Sequence, residues 1–95
     1  MSSYHIVFSE SARDFLRRLA PLPKRSLREA LKTLEADPLL GEPLERELTG
    51  LYKFTVKRHR IVYRIAKEKK QIQVIAVGPR KTVYLDLLEF LKSSE

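Results

Sequence analysis

The stretch Leu51-Tyr52-Lys53-Phe54-Thr55-Val56-Lys57-Arg58-His59-Arg60-Ile61-Val62-Tyr63-Arg64-Ile65 constrains the fold of this chain more than any other. Side chains alternate across a strand, so a one-residue slip would turn every apolar group toward water. A β-hairpin with its turn at Arg58-His59 puts Tyr52, Phe54, Val56, Ile61, Tyr63 and Ile65 on one face. The other face receives Lys53, Thr55, Lys57, Arg60, Val62 and Arg64. That register sets Lys57 opposite Arg60 and Lys53 opposite Arg64. Like charges directly opposite on a sheet are destabilising by roughly 0.2–1 kcal/mol each. Two such pairs predict an anionic partner for this face.

The charge balance points the same way. Lysine and arginine number 19 against 12 aspartate and glutamate, a formal net charge of +7, which favours nucleic acid or an acidic protein as partner. Taken alone the excess is weak evidence, because many small proteins are basic. Ninety-five residues suit one domain, 1–95, with a single two-layer core. With no cysteine there is no disulfide framework and no thiolate metal site, which suits a reducing cytoplasm. No apolar run approaches the roughly 20 residues that span a bilayer, and the start Met1 to His5 does not read as a signal peptide. A soluble cytoplasmic protein with no membrane partner is expected.

The remaining elements follow from periodicity. Tyr4 to Phe8 reads as a short strand, and Ser9 or Ser11 offers an N-cap for a helix with the stripe Ala12, Phe15, Leu16 and Leu19. Pro21 and Pro23 are expected to end that helix, and a second one from about Lys24 to Ala36 buries Leu27, Ala30, Leu31 and Leu34. Asp37 to Pro43 is rich in breakers and reads as an ordered surface loop, with a brief edge strand at Leu44 to Leu48. Gln71 to Val77 is β-branched on both faces and reads as a strand inside the sheet; Val83 to Lys92 is amphipathic at helical spacing. The expected class is α+β, with two N-terminal helices packed on one face of a small, mainly antiparallel, twisted sheet and a short C-terminal helix. The other face is expected to stay open as a shallow basic groove, with Arg80 and Tyr84 at its margin.

Common catalytic signatures are missing: there is no Walker A loop, no dinucleotide glycine fingerprint, no H-E-x-x-H and no His/Cys cluster. His5 and His59 are too few and too far apart to suggest a metal site. Neither metal nor cofactor is expected. Chemistry in the groove would have to use lysine, arginine, tyrosine and His59, a set suited to metal-independent RNA cleavage. There the ribose 2′-hydroxyl attacks its own phosphate in line, and the doubly charged phosphorane needs cations around its oxygens. Arginine suits that duty because its planar fork grips two phosphate oxygens at once.

Arg60-Ile61-Val62-Tyr63, Val74-Ile75-Ala76-Val77-Gly78-Pro79-Arg80 and Val83-Tyr84 resemble the Y-R-x-x-Y, V-x-x-V-G-x-R and V-Y signatures of the RelE/ParE superfamily of bacterial toxins. Phe8, Ser9, Ala12 and Leu16, the Asp37-Pro38 to Gly41 loop, and Leu48 to Lys53 follow in family order, so the resemblance covers nearly the whole chain. It implies a toxin of a toxin-antitoxin system, and in the RelE branch a ribonuclease that cuts mRNA in the ribosomal A site. The implied partners are a cognate acidic antitoxin, the ribosome and mRNA, with the free toxin a monomer. In the ParE branch the same fold implies a non-enzymatic toxin that poisons DNA gyrase.

The resemblance further implies catalytic roles for Arg60 and Arg80 on the phosphate, for Tyr84 against base or phosphate, and for Lys53 as a phosphate-binding or proton-transferring lysine. Lys57, Arg58, Arg64 and His59 complete the candidate substrate-binding set. Many relatives have histidine where this chain has Pro79, and His59 is then the stand-in candidate for an acid. Each has a plainer reading: Arg60 and Arg64 as solvated residues of a one-sided sheet, Tyr84 as core, and Arg13, Arg17, Arg18, Lys24, Arg25 and Arg28 as wet helix faces.

Overall fold

In the computed structural model, which describes residues 4–85, 87 and 88, the chain folds as β1 (His5–Phe8), α1 (Glu10–Arg18), α2 (Pro21–Ala36), β2 (Glu42–Pro43), β3 (Leu51–Val56), β4 (His59–Ala66) and β5 (Gln71–Pro79). Residues 83–85 and 87–88 are helical, and the rest of the expected C-terminal helix lies outside the described residues. The strands form one five-stranded sheet in the order β1-β5-β4-β3-β2. Neighbouring strands are antiparallel except for β1, which runs parallel to β5. The α+β class, the pair of helices and the interior position of β5 are as the sequence predicts.

Ser9 caps α1, its Oγ accepting from the Ala12 N–H at 3.1 Å and donating to the Ile75 carbonyl at 2.6 Å. One hydroxyl thus satisfies a helix end and ties it to β5. Pro21 and Pro23 do not terminate α1; α1 ends at Arg18, and the two prolines lie in the first turn of α2. There a missing N–H leaves no intrahelical bond unmade, and the fixed φ of proline is already helical. Leu27, Ala30, Leu31 and Leu34 are buried against the sheet as expected.

The hairpin differs from the expected register. Val56 pairs with His59, Thr55 with Arg60 and Lys53 with Val62, so the turn is Lys57-Arg58, with Lys57 in the left-handed region at φ 57°. Moving the turn by one residue changes each pairing by two positions and leaves every side chain on its expected face. It does remove the opposed cations. Lys53 faces Val62 and Arg60 faces Thr55, so the like-charge argument for an anionic partner does not hold as made.

The second correction concerns the face away from the helices. Leu51, Val62, Ile75, Ala76, Val83 and Leu87 are buried together there, with Leu44, Leu48 and Tyr84 packed beside them. The face is therefore capped by the final helical residues and by the 42–48 segment, rather than left open. In that segment the edge strand is Glu42–Pro43, and Arg46–Leu48 form a 3₁₀ turn instead of the expected strand. A β-bulge makes the two-sided core possible. Val62 pairs with Ala76 but Tyr63 pairs with Val74, leaving Ile75 as the extra residue. Ile72, Val74 and Val77 then face the helices while Ile75 and Ala76 face the second core.

Tyr63 anchors the expected surface loop. Its fully buried hydroxyl donates to the Pro38 carbonyl at 2.6 Å and accepts from the Gly41 N–H at 3.0 Å, and its ring stacks on Tyr52 with centroids 5.5 Å apart. A Cβ at position 41 would collide with that hydroxyl, so glycine is the residue that lets the loop close on it.

A candidate nucleic-acid site at the hairpin end of the sheet

Three chain segments meet where β4 begins and β5 ends. Arg60, the second residue of β4, pairs with Gly78 near the end of β5. Just beyond β5, the Arg80 N–H donates to the Arg58 carbonyl at 3.1 Å, which fastens the post-strand loop to the hairpin turn. The next residues turn into the helical segment that carries Tyr84, whose ring is half-buried beside the second core. Lys57, Arg58, Arg60, Pro79, Arg80 and Lys81 line the resulting groove of ≈ 690 Å³.

Arg60 is held in a fixed pose. Its Nη1 donates to the Tyr84 hydroxyl at 2.8 Å, its Nε donates to Thr55 Oγ1 at 3.3 Å, and its Cζ lies 5.5 Å from the centroid of the Tyr84 ring. A guanidinium against an aromatic face gains a cation–π attraction and keeps unused N–H donors for a ligand. Among the described residues, five cations converge with one phenol and no carboxylate lines the groove. Such a site favours a phosphodiester, particularly one gaining charge.

Arg60, Arg80, Tyr84, Lys57 and Arg58 thus come together. Lys53 sits two residues further along the same face of β3, partly buried and 3.8 Å from Glu42 on the edge strand. Arg64 stands at the opposite end of β4, where Nε and Nη2 both donate to Gln73 Oε1 at 2.9 and 2.7 Å, and it lines a different hollow with Tyr52 and Lys67. His59 is on the other face of the hairpin. Its ring packs edge-on with Phe15 at 5.7 Å, because the corrected register makes it the cross-strand partner of Val56. It is the partner of Pro79 across the sheet but does not line the groove that holds Arg60 and Arg80.

Thr55 and Lys81 are the residues that sequence reasoning left out of the site; Lys81 lines the groove just after Arg80, and Thr55 holds Arg60. The strand alternation puts Thr55 on the cationic face, but its bond to Arg60 depends on the register. Among the described residues, no three His, Cys, Asp or Glu side chains gather to hold a metal, and no helix is long and apolar enough to cross a membrane.

A family model described as the ParE toxin of type II toxin-antitoxin systems matches residues 6–84. The chain belongs to the RelE/ParE superfamily of type II toxins. Within this superfamily it is similar to toxin RelG of Mycobacterium tuberculosis, with 32% identity over 83 residues, 85% of this chain and 95% of RelG. A chain of the M. tuberculosis RelBE2 toxin-antitoxin complex shares its fold at a TM-score of 0.74 and 32% identity, covering 82% of this chain and 99% of that one. An arginine-to-alanine double variant of E. coli toxin RelE in the free state matches at a TM-score of 0.76 and 25% identity, over 92% and 96% of the two chains. Both structural matches give the chain a RelE-like toxin fold.

Proposed function

We propose that this toxin is a ribosome-dependent, metal-independent mRNA endoribonuclease. The observation that carries the reading is the Arg60 guanidinium fixed on the Tyr84 hydroxyl at 2.8 Å, at the edge of a groove that also holds Arg80, Lys57 and Arg58. In the reaction, the ribose 2′-oxygen forms a bond to the adjacent phosphorus and loses its proton. The bond from phosphorus to the 5′-oxygen breaks, and that oxygen takes up a proton. The products are a 2′,3′-cyclic phosphate and a 5′-hydroxyl end. Arg60 and Arg80 stabilise the charge that grows on the non-bridging oxygens, and Lys53 and Lys57 hold flanking phosphates. Tyr84 orients Arg60 and offers its ring to a base.

Among the described residues, the groove lining holds no carboxylate to act as a strong base. Much of the in-line geometry would then come from the ribosome holding mRNA in the A site, the contribution of positioning to the rate. Complexes of related toxins with their antitoxins support a cognate antitoxin as the resting partner. The second reading, a ParE-like toxin that binds and poisons DNA gyrase, is favoured by the description of the matching family model. Purified protein should cut mRNA on translating ribosomes, leave naked RNA almost untouched, and leave gyrase supercoiling unaffected. Gyrase inhibition without mRNA cleavage would select the second reading.

A further inference from the structure

Behind the hairpin turn lies a second hollow of ≈ 490 Å³, bounded by the first three turns of α2 and the start of β4. Lys57 and Arg58 line both this hollow and the groove that holds Arg60 and Arg80, so the turn is a shared wall between them. The floor is apolar and aromatic: Leu22, Pro23 and the His59 ring, whose position Phe15 fixes from beneath. Leu22 is 76% exposed, the most exposed large apolar side chain of the described residues. Arg25 also lines the hollow, and Glu29 is the one carboxylate among the described lining residues. The two prolines of α2 withdraw two backbone donors here, so the cations and not the helix end attract an anion.

We infer that this hollow is a subsite for a nucleotide next to the cleaved phosphate, filled by the same single strand of RNA that lies on Arg60 and Arg80. The inference rests on the nuclease reading above. A strand leaving the groove must cross Lys57 and Arg58, which neutralise its next phosphates, and Arg25 continues that row. The base beyond the turn meets Leu22, Pro23 and His59, a surface of the kind on which unstacked bases rest. Glu29, an acceptor only, matches the adjacent N1–H and N2–H2 donors of guanine with its two oxygens, whereas the single N3–H of uracil stands between two keto oxygens that a carboxylate repels, which favours guanine over uracil at this position. The cations and the apolar floor account for affinity, and Glu29 for selectivity.

The test compares wild-type protein with Leu22→Ser, Arg25→Ala and Glu29→Gln in mRNA cleavage on programmed ribosomes, with cleavage sites mapped over a randomised region. All three side chains are exposed, so melting curves should match the wild type. Leu22→Ser and Arg25→Ala should each raise the half-saturating toxin concentration roughly tenfold, the scale of one lost stacking or phosphate contact. Glu29→Gln should flatten the preference against uracil at one flanking position while leaving the maximal rate in place. As a second measurement, mRNA carrying 6-thioguanine beside the target phosphate should crosslink, with the cleavage-deficient Arg80→Ala variant, to the peptide holding residues 22–29. Weaker binding with unchanged flanking preference and no crosslink would mean that the hollow meets ribosomal RNA, and would overturn the subsite. Wild-type behaviour in cleavage with lost antitoxin binding would mean a protein-docking surface, and would overturn it equally. If the wild type itself cuts no mRNA, the nuclease reading fails first and takes the subsite with it.

Discussion

Arg60 shows how much a single side chain owes to its neighbours. Its charge is visible in the sequence, but its direction comes from Thr55 on one side and the Tyr84 hydroxyl on the other. Arg60→Ala and, separately, Arg80→Ala should lower mRNA cleavage on the order of a hundredfold or more, the loss expected for one preorganised contact to developing charge. Thermal stability should be unchanged, because neither guanidinium belongs to a core. Tyr63 is the opposite case, a polar atom that serves structure alone. Burial pushes its phenol above the ordinary value, against the opposing hydrogen bond from the Gly41 N–H. Tyr63→Phe leaves that N–H and the Pro38 carbonyl without their partner and should lower stability by about 1–3 kcal/mol in urea titration. The native state holds the phenolic proton more tightly than the unfolded chain does. Stability from this group is therefore complete below the ordinary tyrosine range and falls as pH rises through the folded value. The variant should lack that part of the alkaline loss, a difference that urea midpoints measured at neutral and alkaline pH would detect.

At the scale of elements, the junctions carry the specificity. Ser9 joins the α1 N-terminus to β5, and Ser9→Ala removes both the cap and the bond to the Ile75 carbonyl. A loss of about 1–2 kcal/mol is expected, with cleavage per folded molecule unchanged. Denaturant unfolding and an activity assay on the same sample would check both halves. The bulge at Ile75 is a second junction. It gives β5 an apolar surface toward the helices before and after the bulge, and a second one toward the helical residues that carry Tyr84. The same shift sets which residues near the end of β5 accompany Arg60, so a core-packing device also aims the site.

For the whole molecule, charge and exposed apolar area are both unspent at the C-terminal side. Leu85 is 63% and Leu88 52% exposed, close to the groove that Arg60 shares with Tyr84. An acidic antitoxin segment that covers both would order as it binds. The complex should then survive several hundred millimolar salt, in which exposed charge pairs are strongly screened. Dissociation in moderate salt, together with unchanged hydrogen exchange at Val83 and Tyr84, would put the docking surface elsewhere. In the cleavage reaction, products should end in a 2′,3′-cyclic phosphate or its 3′-phosphate hydrolysis product. A 3′-hydroxyl end, read by enzymatic end-labelling, would exclude attack by the neighbouring 2′-oxygen.

What the sequence determined by itself was local and periodic. Alternation sorted the hairpin faces, helical spacing named Leu27, Ala30, Leu31 and Leu34, and Ser9 announced a cap, because each follows from a fixed repeat or a short-range bond. Arg60, Arg80 and Tyr84 were legible as a set through their family resemblance. The tertiary structure alone decided the turn at Lys57-Arg58, the bulge at Ile75, the start of α2 at Pro21 and the second core over the cationic face. Those choices balance turn strain against cross-strand packing, and their weights lie in residues distant along the chain. For the same reason His59, so close in sequence to Arg60, went to the far face beside Phe15, while Tyr84, 24 positions away, came to lie within a hydrogen bond of it.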